Sequence, residues 1–297
     1  MTRTARSADP RSATRPWRRS VLIGAVVVAT VVSLVSAGPV FAAAPGHAAP
    51  KAMPTHVFVE GDSIALTLGL GLVTVGTPEG FTVTGAPWLG CGLEPGGETV
   101  REPQGLTVAP DGCPDWQDHW AQLVAHDRPK VVALLIGDWD MLDRVVNGKW
   151  LLFGSPASDR WLSGLLDTAI TVLSSSGARV ALLTMPYESP ITSPVHLAKY
   201  RSAFDPGRVR HWNTLLRAAA RRHPGVAQIV DLNHFASPHG YTDTLDGITP
   251  FRGTNNGPGT PIVQDGVHFT PAGAQLVAKW LLPRLAAIAA APHRHSS

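Results

Sequence analysis

The sequence predicts an α/β fold built on a parallel sheet with helices on both faces. Three observations carry this. Five short apolar runs, each bounded by turn residues, read as buried strands. Helical patterns separate them, and that alternation is the signature of parallel strands joined by helical crossovers. The composition, 44% hydrophobic and 16% charged over 297 residues, supplies enough apolar side chain for a substantial core.

The first strand is expected at 56–60 (HVFVE), followed by a helix over 64–72. The second strand is expected at 81–85. A helix over 115–126 leads into the third strand at 130–136 (KVVALLI). A helix over 160–174 precedes the fourth strand at 179–184 (RVALLT), and one over 209–222 precedes the fifth at 227–232 (AQIVDL). His223-Pro224-Gly225 stops that fourth helix, and an Ala/Leu-rich helix over 271–290 closes the fold. Residues 236–261, rich in Gly, Pro, Thr and Asn, form a long irregular stretch of the kind that usually serves function.

Outside this body the chain reads differently. Residues 1–43 are a targeting segment: a basic region ending at Arg18-Arg19, an apolar run over 21–37, Gly38-Pro39, then small residues Ala42-Ala43-Ala44. The run suits either a cleaved signal peptide or a single anchor retained over residues 20–43. Under both readings the remainder is secreted or otherwise extracytoplasmic. Residues 44–54 are an Ala/Pro/Gly linker, 55–291 the ordered domain, and 292–297 a frayed tail. Six arginines and one acid lie before Ala44, so the remainder carries 19 basic against 21 acidic residues. That balance excludes a basic nucleic-acid-binding body.

Two cysteines, Cys91 and Cys113, in an exported chain point to a disulfide, with a free reactive thiol as the rival. They are too few for a structural zinc site, and no His-Glu-x-x-His motif is present. His119, His234 and His239 lack metal-ligand spacing, Gly69-Leu70-Gly71 is no dinucleotide fingerprint, and no P-loop occurs. No metal or organic cofactor is called for. Arg217, Arg221 and Arg222 read as a solvated helix face.

In parallel sheets, sites form beyond the C-terminal strand ends. After the first strand comes Gly61-Asp62-Ser63. Taken alone this triplet is an ordinary helix cap. It is also where a serine would meet the unpaired N–H groups of a helix N-terminus. Near the other end, Asp265-Gly266-Val267-His268 opens the last helix through Thr270-Pro271. A histidine can take the serine proton, and a carboxylate three residues earlier can fold back to hold its ring.

The pairing of Gly-Asp-Ser after the first strand with Asp-x-x-His before the last helix resembles the SGNH (GDSL-like) hydrolases, over roughly residues 55–290. The resemblance implies a flavodoxin-like three-layer α/β/α sandwich. It also implies a triad of Ser63 as nucleophile, His268 as base and Asp265 as orienter. For the family's oxyanion hole, the Ser63 N–H is joined by a glycine in Trp88-Leu89-Gly90-Cys91-Gly92; Gly90 is the first candidate and Gly92 the second, against a plain turn beside the disulfide. The family's Gly-x-Asn-Asp block aligns with Gly137-Asp138-Trp139-Asp140, so Trp139 stands where the family has Asn. An indole N–H donates a single hydrogen, which makes Trp139 the candidate third donor. GDWDMLDR, with the Gly-Cys and Cys-Pro-Asp-Trp segments, is also similar to SGNH domains accompanying bacterial membrane acyltransferases that act on cell-surface polysaccharides.

The resemblance therefore implies an acyl-enzyme mechanism on ester-linked acyl groups, on small molecules or glycans. The products are those of an esterase if water accepts the acyl group, or of an O-acyltransferase if a sugar hydroxyl does. A catalytically silent glycan-binding module is the third reading. Six of the nine tryptophans fall between 88 and 161; most read as core, with a site role for Trp139 and Trp88.

Overall fold

Strands buried on both faces cannot alternate apolar with polar residues, and the central runs do not. In β1 (Thr55–Gly61) the last five residues are buried. All five are buried in β5 (Val131–Leu135) and in β8 (Arg179–Leu183). β2 (Phe81–Gly85) and β9 (Ala227–Val230) are only partly buried. These five form one parallel sheet of order β2-β1-β5-β8-β9, with the half-covered strands at its edges. A computed structural model describes residues 54–94, 99–102, 105–108, 113, 115–189, 205–255 and 260–292. The expected targeting segment, and most of the expected linker and tail, lie outside the described residues.

The strand order is that of the flavodoxin-like sandwich. One helical layer pairs α1 (Ser63–Gly76) with α6 (Pro271–Ala290); the other sets α2 (Trp116–Asp127), α3 (Pro156–Leu173) and α4 (Pro206–Arg222) in a row, and the short α5 (Leu232–Ala236) follows β9. α1 and α6 approach so closely that a Cβ on Gly71 would lie 2.4 Å from the Ala274 carbonyl oxygen. This is the reason for a glycine in mid-helix in a segment that forms no nucleotide loop. Among the described residues no helix is long and apolar enough to cross a membrane.

Helices α3, α4 and α6 begin on a capping side chain followed by proline: Ser155-Pro156, Asp205-Pro206 and Thr270-Pro271. For α3 and α4 this places the start three to four residues earlier than hydrophobic periodicity does, because the first turn is polar. Arg217 and Arg222 are not simply solvated. They pair with Asp231 at 2.7 Å and Asp167 at 2.8 Å, tying α4 to the end of β9 and to α3.

A second, antiparallel sheet of order β4-β3-β6-β7 escapes sequence reading. Its strands are β3 (Thr99–Glu102), β4 (Gly105–Val108), β6 (Asp143–Val146) and β7 (Lys149–Leu151), each three or four residues long. The available signal is Asn147-Gly148, both at positive φ, linking paired Val146 and Lys149. Asn-Gly between apolar runs is the strongest short hairpin mark.

Candidate active site

The chain leaves β1 leftward through α1 to β2, while β5 connects rightward to β8, so β1 and β5 flank the topological switch point. Gly61 pairs with Leu135 in that register, and the segments that follow both strands leave the sheet at one level. Gly61 has φ +137°, and a Cβ there would lie 1.7 Å from the Leu135 carbonyl oxygen. Only glycine permits this crossing.

Asp62, not Ser63, caps α1: its Oδ1 accepts from the N–H groups of Ile64 at 2.8 Å and Ala65 at 3.4 Å. That leaves the Ser63 hydroxyl for another partner. Ser63 Oγ lies 2.8 Å from His268 Nε2, and His268 Nδ1 lies 2.8 Å from Asp265 Oδ2. The other Asp265 oxygen accepts from the N–H of Val267 at 2.8 Å and of His268 at 2.9 Å, which fixes the carboxylate against the ring. Residues 205 positions apart thus form one hydrogen-bonded line. Burial alone would lower the His268 pKa. The Asp265 hydrogen bond and charge, with Asp62 and Asp138, outweigh it and raise the pKa above the ordinary value.

Ser63 is the first residue of α1, so its N–H belongs to the unpaired donors of a helix N-terminus. Gly90 sits at φ +73° in a turn closed by Cys91 N–H donating to the Trp88 carbonyl at 3.2 Å. The Trp88 N–H in turn donates to the Gly61 carbonyl at 2.9 Å, which seats this turn beside the strand end that leads to Ser63. Trp139 is half-buried and packs against Val100 and Leu142 beneath the small sheet, with its Nε1 shielded from solvent. The side chain from this block that lies in the field of His268 and Asp62 is Asp138. Burial first, then Asp62, pushes the Asp138 carboxyl up to about 7, against the pull of His268. Burial likewise pushes Asp62 up to about 6.

The match is to the family described as SGNH domain (fused to AT3 domains), over residues 39–283. The chain belongs to the SGNH domain family. Its reaction class is acyl ester hydrolysis or acyl transfer. Among solved structures, this SGNH domain is similar to the M. smegmatis aryl esterase at 13% identity and TM-score 0.50, covering 79% of this chain and 99% of that one. It is also similar to the periplasmic domain of a Salmonella ser. Paratyphi A lipopolysaccharide acetyltransferase, at 13% identity and TM-score 0.48, covering 78% and 84%. The C-terminal catalytic domain of Streptococcus pneumoniae peptidoglycan O-acetyltransferase A aligns at 17% identity and TM-score 0.40, covering 81% and 97%. No curated protein matches the sequence.

Further residues hold the loops around the site. Cys91 and Cys113 are joined in a disulfide that ties the Gly90 turn to the start of α2. Leu93, next in that segment, is held at both backbone groups: its N–H donates to Asp140 Oδ1 at 2.8 Å, and its carbonyl accepts from Trp116 Nε1 at 2.8 Å. Asp140 and the Trp of Cys-Pro-Asp-Trp therefore position the loop. A buried ion pair, Arg144–Glu94 at 2.7 Å, adds a further brace. The long stretch 236–261 braces the histidine loop: Gly253 N–H donates to the His268 carbonyl at 2.7 Å, and Arg252 to the Val267 carbonyl at 2.9 Å. Arg252 is wholly buried, with its guanidinium 4.2 Å from the Phe269 ring centroid. A glycine- and proline-rich loop with one buried arginine is a weak sequence signal, because burial is invisible before the chain folds.

Proposed function

We propose that this SGNH domain is an exported serine esterase that removes ester-linked acyl groups, from carbohydrate in preference to lipid, through an acyl-enzyme on Ser63. The observation that carries the reading is the unbroken line Ser63 Oγ–His268 Nε2 at 2.8 Å and His268 Nδ1–Asp265 at 2.8 Å. In the first step His268 Nε2 takes the Ser63 proton as Oγ bonds to the ester carbonyl carbon. Asp265 stabilises the imidazolium that forms. The N–H groups of Ser63 and Gly90 receive the developing oxyanion, and Trp139 is better suited to packing than to a third donor. The tetrahedral intermediate collapses, and His268 returns its proton to the leaving alkoxide. Water, deprotonated by the same histidine, then cleaves the acyl-enzyme.

A second reading is favoured by one finding. The matching family is of SGNH domains fused to AT3 domains, which supports transfer to a cell-envelope polysaccharide hydroxyl in place of water. Export, and anchorage through residues 20–43, belong to this proposal and rest on the sequence of that segment. The silent glycan-binding alternative is disfavoured by the continuous hydrogen-bonded line. Labelling with a fluorophosphonate tests the core of the proposal. Wild type is expected to label and Ser63→Ala not to. Equal labelling of both, or none of folded wild type, refutes it.

A further inference from the structure

A cavity of about 510 Å³ lies between the Trp88 loop and the first two turns of α2. Its size falls within the roughly 300–1,000 Å³ of small-ligand sites. The walls differ in character. Trp88 is 57% exposed, although it is one of the largest apolar side chains in the chain. Its backbone is nonetheless fixed, by the 2.9 Å bond from its N–H to the Gly61 carbonyl, two residues from Ser63. Trp116 and Trp120, with ring centroids 4.7 Å apart, are almost fully buried and give a rigid apolar floor. Trp116 Nε1 is already engaged by the Leu93 carbonyl, so Trp116 offers the cavity no donor.

The remaining wall is polar and exposed. Asp115 and His119 stand four residues apart, as do Asp118 and Gln122, so each pair shares a helix face over the cavity. None of these four side chains makes a hydrogen bond or ion pair with another described residue. Asp115 occupies the N-cap position of α2 yet makes no capping bond. The cavity thus combines one exposed aromatic face, an apolar floor and a row of exposed acceptors and donors with no partner among the described residues.

We propose that this cavity is a carbohydrate subsite that holds a neutral or N-acylated sugar ring next to Ser63; the proposal deepens the esterase or transferase reading and rests on it for the role of Ser63. The C–H face of a pyranose is weakly apolar and matches the electron-rich face of Trp88. Its hydroxyl rim donates to carboxylate and amide oxygens. A fatty acyl chain would have to lie against the carboxylates of Asp115 and Asp118 and desolvate them, which is costly. The same two charges repel uronic acids and phosphorylated sugars, so the specificity is for uncharged glycan. The disulfide Cys91–Cys113 joins the two walls and holds the cavity open.

The experiment uses Ser63→Ala, which binds without turnover, and calorimetry with four probes: xylotetraose, cellotetraose, the N-acetylglucosamine tetramer and tetragalacturonate. At least one neutral tetrasaccharide is expected to bind and tetragalacturonate not to. Adding Trp88→Ala is expected to weaken binding about tenfold or more, and adding Asp118→Asn with Gln122→Ala to weaken it as well. The second pair changes exposed positions and keeps the test open where Trp88→Ala disturbs its loop. No binding of any neutral probe, or unchanged affinity in both variants, overturns the subsite. Fluorophosphonate labelling of wild type is scored separately. Labelling without sugar binding sinks the subsite alone, and sugar binding without labelling sinks the catalytic reading while leaving the subsite.

Discussion

Replacing Asp265 by asparagine separates its two jobs. One oxygen, Oδ1, accepts from the N–H groups of Val267 at 2.8 Å and His268 at 2.9 Å; the other, Oδ2, faces His268 Nδ1 at 2.8 Å. An asparagine that keeps the two backbone bonds must turn its NH₂ toward Nδ1. The ring then carries its proton on Nε2, and such a tautomer cannot accept the Ser63 proton. The flipped amide restores the tautomer but forfeits two backbone hydrogen bonds worth about 1 kcal/mol each. A penalty of about 2 kcal/mol leaves roughly 3% of molecules flipped. The loss in kcat is therefore at least about 30-fold, and approaches the ~10⁴-fold measured for the same change in serine-protease triads. The assay is p-nitrophenyl acetate hydrolysis, with thermal unfolding alongside. The unfolding midpoint is expected to stay close to wild type, because both backbone bonds survive. Asparagine activity within tenfold of wild type would refute the assignment of Asp265 as the histidine's orienter.

Two further predictions concern stability. Replacing Cys91 and Cys113 together by serine opens a crosslink spanning 22 residues; the chain-entropy model gives a loss of about 3 kcal/mol, read as a lowered urea midpoint, and an unchanged midpoint contradicts it. With pH the signs oppose. Glu60, held near 8, Asp62, near 6, and Asp138, near 7, keep protons in the fold that the unfolded chain has already lost at pH about 4. The folded state then binds more protons, so stability falls as pH rises between about 4 and 8. The raised pKa of His268 acts in the same sense: its contribution is complete below the unfolded value of 6.5 and is lost as pH rises through the folded one. Asp127, Asp167 and Asp231, held low, act only below about pH 4. Activity needs neutral His268, so kcat/KM is expected to rise on the alkaline side while the thermal midpoint falls. A midpoint that climbs from pH 5 to 8 would refute the burial argument.

The parallel sheet was readable from local pattern alone. Apolar runs five to seven residues long between helical stretches admit few other arrangements, and β1, β2, β5, β8 and β9 lie where those runs do. The small antiparallel sheet was not readable, since strands of three or four residues carry too few side chains to show a period. Helix starts were displaced because the Ser155-Pro156 and Asp205-Pro206 caps act through single residues, which periodicity does not weigh.

For the candidate site, the sequence by itself supplied the residue types: a serine at a strand-to-helix turn and an Asp-x-x-His before the last helix, the pairing on which the proposed chemistry rests. Only the tertiary structure decided which side chain of Asp62-Ser63 caps α1 and which meets His268, because both can cap and the distinction is a direction in space. Tertiary structure also decided the parts played by Trp139, Asp140, Trp116 and Arg252. Each depends on what lies against it from a distant segment, and burial and pairing across the chain are properties of the fold, not of any local stretch of sequence.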